Sequence, residues 1–301
     1  MTRWPNLYIL GAPKCGTTSI AGWLAQHSDI FMCEPKEPSF FNDDYKDGPF
    51  RGRKTAYLNL FSKAKNVTWM CDGTVDYLAS DVAVKQIMEV AVAPKFIVVV
   101  RKHADLLMSM HQQECVSGNE LIYDFALAFK LSSERRIGRK LPITQPEYRK
   151  IDYEMRAEVG LQIRKISRYI SRERLLLIDF EILQSDSDLV WSKICDFLDV
   201  EFEQVDLVHS NARVDISSRP AIILRKLLRN IKWKIGASSN FGLDRIWNKF
   251  SIKTSKRRPV IDVKLRAMIE KRYEQDVDII KAYAHSGPSV LQPNEWLDDA
   301  N

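Results

Sequence analysis

Two rhythms of apolar and polar positions alternate along this chain. Short, largely apolar runs at Leu7-Tyr8-Ile9-Leu10, Val67–Cys71, Lys95–Val100 and Leu175-Leu176-Leu177-Ile178 have the length and residue types of buried strands. Between them, apolar residues return at helical spacing over 17–27, 82–92, 104–115, 153–170 and 188–198. Strands separated by helix-length segments predict an α/β fold, a central parallel β-sheet flanked by helices. Two further helical stretches follow, 221–234 and 261–283. The first is amphipathic, with Ile223, Leu224, Leu227, Leu228 and Ile231 on one side and cations on the other. Residues 132–150, with Arg, Lys and Pro, read as a surface excursion.

The length of 301 residues suits one large domain over 1–301, with a core at about 6–230 and a basic helical segment and C-terminal helix at about 219–285. No run is apolar enough for long enough to span a bilayer, and the N-terminus lacks the basic and apolar regions of a secretory signal. Five scattered cysteines without a CxxC pair fit free thiols in a reducing cytoplasm. The expected location is therefore cytoplasmic.

The net charge of +6 is concentrated: residues 219–258 hold twelve Lys/Arg against one acid, Asp244. That distribution argues for a local anionic contact rather than general nucleic-acid binding.

Gly11-Ala12-Pro13-Lys14-Cys15-Gly16-Thr17-Thr18-Ser19 joins the first strand to the first helix. Glycines let the backbone approach an anion, and a helix N-terminus directs free N–H groups and partial positive charge at it. The glycines keep the GxxxxG spacing of a nucleoside-triphosphate loop. However, Thr17 stands where that loop has its lysine, and the lysine lies inside the loop at Lys14. This departure disfavours ATP or GTP hydrolysis.

The run Tyr8–Ser19 resembles the 5′-phosphosulfate loop of sulfotransferases that use 3′-phosphoadenosine 5′-phosphosulfate (PAPS), closest to their bacterial and carbohydrate-modifying branch. Further segments agree in the family's order. Lys36-Glu37-Pro38-Ser39-Phe40-Phe41 is similar to its Lys-Glu-Pro-His-Phe-Phe segment, and Asp72-Gly73-Thr74-Val75-Asp76-Tyr77-Leu78 to its Glu-x-(Ser/Thr)-Pro-x-Tyr-Leu strand end. Arg101 with Ser109, Leu177–Glu181 and Ile194–Leu198 match later motifs. The resemblance covers about 6–230. It implies a P-loop, nucleotide-kinase-like fold and transfer of a sulfuryl group from PAPS to a hydroxyl, leaving the desulfated product PAP.

By that resemblance Lys14 contacts the 5′ phosphosulfate, and Gly16, Thr17, Thr18 and Ser19 complete the cradle, with Cys15 inside it as a small filler. Arg101 and Ser109 would bind the 3′ phosphate, joined by Arg219 ahead of the basic helix. Glu37 takes the place of the family's catalytic glutamate. In-line transfer needs a base for the acceptor hydroxyl and a cation beside the leaving phosphate, roles for Glu37 and Lys14. Ser39 departs from a histidine in the family pattern, and Gly73 from a lysine found in some relatives. Asp72 and Asp76 are alternative bases, and His103 and His111 read as structural. The scheme requires no metal, and no metal-ligand spacing occurs.

The acceptor class implied is a saccharide or glycoconjugate. The basic helix over 221–234 fits a solvated face on the core, a groove for an anionic saccharide, or peripheral contact with a membrane surface. Two rival functions stay open: a nucleotide-dependent kinase, and a non-catalytic PAPS or nucleotide-binding protein.

Overall fold

Phe96, Ile97, Val98, Val99 and Val100 are wholly shielded from solvent, as expected of a parallel strand covered by helices on both faces. The computed structural model describes residues 3–46, 48–145, 147–208, 214–216, 218–234, 252–254 and 261–291.

In chain order the elements are β1 (Leu7–Gly11), α1 (Thr17–Leu24), β2 (Ile30–Met32), α2 (Lys54–Asn59), β3 (Trp69–Asp72), α3 (Ala83–Val90), β4 (Lys95–Val100) and α4 (His103–Ser117). Next come α5 (Phe125–Lys130), α6 (Ser132–Arg136), α7 (Tyr153–Ala157), α8 (Val159–Ile166), β5 (Leu175–Asp179), α9 (Phe180–Ser185) and α10 (Ser187–Leu198). The last are β6 (Val214–Ile216), α11 (Arg219–Lys234), β7 (Ile252–Thr254), α12 (Val263–Arg272), α13 (Glu274–His285) and β8 (Ser289–Val290). They group into two units, one of residues 1–106, 158–210 and 269–301, the other of 107–157 and 211–268.

The first unit holds a six-stranded, all-parallel sheet in the order β2-β3-β1-β4-β5-β8. From β1 the chain passes to the edge strand β2, returns to β3 beside β1, then crosses to β4 on the other side of β1. Strand order therefore reverses around the carboxyl end of β1, where open parallel sheets bind ligands. Both edge strands escaped the sequence pattern because three residues at β2 and two at β8 are too few to show a period.

The helix expected over 153–170 is broken at Glu158. The cause is Asp276, whose carboxylate accepts from the amides of Gly160 and Leu161, each at 2.8 Å, and so caps a new helix start. A Cβ at Gly160 would lie 2.3 Å from the Asp276 carbonyl oxygen, so the site requires glycine. His103 joins the same carboxylate at 2.9 Å and stacks on Tyr273, a structural placement.

The second unit corrects the reading of 132–150 as a purely superficial stretch. Arg135 is fully buried and pairs at 2.7 Å with the equally buried Glu120, which also accepts from the Tyr153 hydroxyl at 3.1 Å. Two charges withdrawn from water require such partners. His111 is buried beside Tyr153 and Phe125, with Nε2 2.8 Å from the Ile122 carbonyl. Burial lowers its pKa.

The buried edge of α11 also differs from expectation: Ile222 and Lys226 face inward while Leu224 is exposed. The reason is Gly118, at φ +72°, where a Cβ would meet Ile222 and Lys226 at 3.0 and 3.1 Å. The bare glycine leaves room for Ile222 and Lys226 to approach this closely. β6 and β7 pair antiparallel. Residues 235–251 and 255–260 of the basic stretch lie outside the described residues. Among the described residues, no helix is long and apolar enough to cross a membrane.

Candidate functional site

The loop 11–16 is tied to both neighbours of β1. Ala12 donates its amide to the Val99 carbonyl of β4 at 2.8 Å, and Leu78, beyond β3, donates to the Leu10 carbonyl at 3.1 Å. Gly11 at φ +144° would set a Cβ 3.1 Å from the Val75 carbonyl oxygen. Gly16, the N-cap of α1, has φ +78°, and a Cβ there would stand 2.5 Å from Leu183 Cδ2. Glycine is needed at both turns for the loop to lie this close to its surroundings.

Within the loop, Lys14 adopts a left-handed φ of 65° and is exposed, as is Thr18, while Cys15, Thr17 and Ser19 are buried. Cys15 is buried within the loop, and burial pushes its thiol far up from its usual pKa, which favours the neutral thiol. No side chain caps α1 and no acidic residue occupies its first turn.

Arg101, the residue after β4, donates from Nη1 to the Lys14 carbonyl at 3.1 Å. Its guanidinium lies over the Phe180 ring at 4.3 Å. Its Nε is buried without a hydrogen-bond partner. Glu181, in the first turn of α9, also has a buried, unpartnered oxygen, Oε2. Burial, then the hydrogen bond and charge of Asp179, push its carboxyl well up, with Arg101 opposing. In the sequence Glu181 is one letter of the Leu177–Glu181 motif; the charge of Arg101 acting on it is a tertiary fact.

Glu37 stands on the other side of the loop. Its neighbour Lys36 donates from Nζ to Thr17 Oγ1 at 3.1 Å and to Glu37 Oε1 at 3.0 Å. Gly73, after β3, donates its amide to the Lys36 carbonyl at 3.0 Å, which pins this segment beside the strand end. The pairing of Lys36 with Glu37 follows from their adjacency in the sequence, whereas the approach of Lys36 to Thr17 does not.

Asp72 is fully buried and accepts four hydrogen bonds, from Tyr57 and Tyr77 hydroxyls at 2.8 and 3.0 Å and from the Thr74 amide and hydroxyl at 3.0 and 2.7 Å. Burial raises its pKa to about 6 even against those donors. Its partners in turn hold the segment after Glu37: Thr74 Oγ1 accepts from the Ser39 amide at 3.1 Å, and the Tyr77 hydroxyl accepts from Phe40 at 2.9 Å. Asp72 thus anchors the site and is enclosed by donors, unlike a base awaiting a substrate proton.

Ser109 and Arg219 belong to the second unit. Ser109 is half-buried on α4. Arg219 opens α11, exposed, with its guanidinium 4.0 Å from the Tyr123 ring centre. Among the described residues no group of three His, Cys, Asp or Glu side chains is placed to hold a metal.

A parallel sheet with a glycine-bounded loop between its first strand and first helix, at the switch point of the strand order, defines an α/β protein of the kind that takes ligands at that end of its strands. Sequence comparison narrows the class: the Sulfotransferase domain profile matches residues 5–219, and the chain belongs to that family of transferases. No curated protein sequence matched. Among solved structures, a sulfotransferase from Alicyclobacillus acidocaldarius superimposes with a TM-score of 0.65 at 19% identity, covering 97% of this chain and 98% of that one. Looser matches include the sulfotransferase domain of the Synechococcus PCC 7002 olefin synthase, with TM-score 0.48, 14% identity and coverage of 96% and 97%. The mouse sulfotransferase SULT7A1 complexed with PAP gives TM-score 0.46, 14% identity and coverage of 94% and 89%.

Proposed function

We propose that this sulfotransferase takes its sulfuryl group from PAPS and delivers it to a hydroxyl of a carbohydrate or glycoconjugate. The observation that carries the reading is the Lys36 ammonium, which joins Thr17 of the anion-binding loop to Glu37. A carboxylate and a phosphate-binding loop in one small region are the two halves that sulfuryl transfer needs.

The residues suit this donor. The uncapped start of α1, the bare Gly16 and the Lys14 ammonium favour a phosphate group, and Arg101 brings a buried N–H with no protein acceptor. Thr17 in the place of a triphosphate-loop lysine counts against a kinase. PAPS, once bound, supplies a sulfuryl group whose bond to the 5′ phosphate oxygen breaks with its electron pair as the acceptor oxygen bonds to sulfur. Lys14 neutralises the charge that collects on the leaving phosphate, and Glu37 receives the acceptor's proton. Arg101 holds the loop through the Lys14 carbonyl and is our choice for a 3′-phosphate ligand; Ser109 and Arg219 are assigned that role by the family resemblance alone. Cys15, Gly16, Thr17, Thr18 and Ser19 form the cradle. No step here calls on a metal. The saccharide class rests on the glutamate arrangement and the cationic stretch from Arg219 onward.

Transfer from radiolabelled PAPS to a panel of sugars, glycans, phenols and alcohols tests the reading. Glu37→Ala should lower the transfer rate at least about a hundredfold, within the range for a general base, while PAP affinity stays unchanged. Full turnover in that variant contradicts the base assignment, and labelling confined to phenols contradicts the acceptor class.

A further inference from the structure

Lys36 bridges the two halves of the scheme above but takes no chemical step in it. Its Nζ reaches Thr17 Oγ1 at 3.1 Å, at the first helical residue after the loop, and Glu37 Oε1 at 3.0 Å. The side chain is four-fifths shielded, whereas Glu37 beside it is 43% exposed. An ammonium held in a part-buried place between an anion-binding loop and a carboxylate has strong electrostatic leverage on any anion entering there. In an in-line transfer the moving group lies between the donor's phosphate and the acceptor's proton-taking base. An ammonium that bridges Thr17 and Glu37 would then face the moving group, while Arg101 holds the loop from the end of β4.

The backbone shows why Lys36 takes this path. A Cβ at Gly73 would lie 3.0 Å from Lys36 Cγ, from Lys36 Cε and from Met32 Cε. Gly73 leaves open the volume along which the Lys36 stem runs, and its amide bonds the Lys36 carbonyl. Its φ is outside the left-handed region, so the bare position is explained by the packing of Lys36 rather than by backbone conformation.

We infer that Lys36 contacts the sulfuryl end of the donor and distinguishes PAPS from PAP, with Glu37 as its counter-ion before an anion arrives. This rests on the PAPS reading above. A cation that touches only the sulfuryl oxygens adds affinity for the sulfated form and leaves the desulfated form almost unaffected. A purely structural Lys36 would support both forms equally.

The test is calorimetric and needs no acceptor: Kd values for PAPS and for PAP in the wild-type chain, Lys36→Met and the double variant Lys36→Ala/Gly73→Lys. The preference for PAPS over PAP should fall about tenfold or more in Lys36→Met, the scale of one charged hydrogen bond, with PAP affinity within about twofold of wild type. The double variant, whose new lysine grows into the vacated volume, should regain most of the preference. Equal loss of both ligands in Lys36→Met, or an unchanged ratio, overturns the inference while leaving PAPS as donor. Wild-type chain that binds neither nucleotide, or binds ATP as tightly as PAP, overturns the donor reading and this inference with it.

Discussion

The Arg101 guanidinium donates to the Lys14 main-chain carbonyl at 3.1 Å while its central carbon stands over the Phe180 ring, 4.3 Å from the ring centre. One side chain thus ties the end of β4 to the tip of the loop after β1 and also meets an aromatic face. Stacking and a forked donor together are properties of arginine that lysine lacks.

Arg101→Ala should weaken PAP binding by about ten- to a hundredfold, the scale of a lost charged hydrogen bond pair. Arg101→Lys should recover only part of it, because the ammonium cannot both stack and fork. Full recovery by lysine, read by calorimetry, would mean that charge alone matters at this position.

Gly16→Ala should cost about 1–3 kcal/mol through left-handed backbone strain and the collision with Leu183 Cδ2. Both Tm and PAP affinity should fall. Unchanged PAP affinity would show that the start of α1 does not hold the nucleotide.

Asp72 gives a pH signature in stability. Its folded-state pKa is about 6 against an ordinary 3.8, so the folded chain holds the proton where the unfolded chain has released it. Its contribution is complete below about pH 4 and is lost as pH rises through about 6, by up to about 3 kcal/mol. Asp72→Asn lacks this titration and turns an amide N–H₂ toward two of the four donors. The variant should be less stable at every pH, by a margin that narrows between about pH 4 and pH 6. A margin that widens over that interval, in denaturant titrations, would contradict the assignment.

Asp276→Ala should lower stability by about 2 kcal/mol by uncapping the amides of Gly160 and Leu161 and leaving His103 without its partner. Chemical denaturation at neutral pH measures it. No change would mean that water replaces the cap at no cost.

The sheet was legible because its inner strands are unbroken apolar runs, and the loop because its glycines and lysine are contiguous. β2 and β8 were too short to read, and the break at Glu158 depends on Asp276, more than a hundred residues away. The Lys36 bridge was equally hidden: the Lys-Glu pair is visible in the sequence, but its approach to Thr17 exists only once β3 has set Gly73 beside it. The burial of Lys226 against Gly118 is hidden for a similar reason, because helical periodicity alone places that lysine with the exposed cations. Local pattern carried the scaffold, and distant pairs arranged the chemistry.

The most direct measurement is a calorimetric titration of the wild-type chain with PAP beside ADP and ATP. The account predicts micromolar PAP binding, on the order of 8 kcal/mol, that depends on the 3′ phosphate and weakens in Arg101→Ala. Equal or tighter binding of ATP would contradict it, and the loop at Gly11–Gly16 would then have to be read as a triphosphate site.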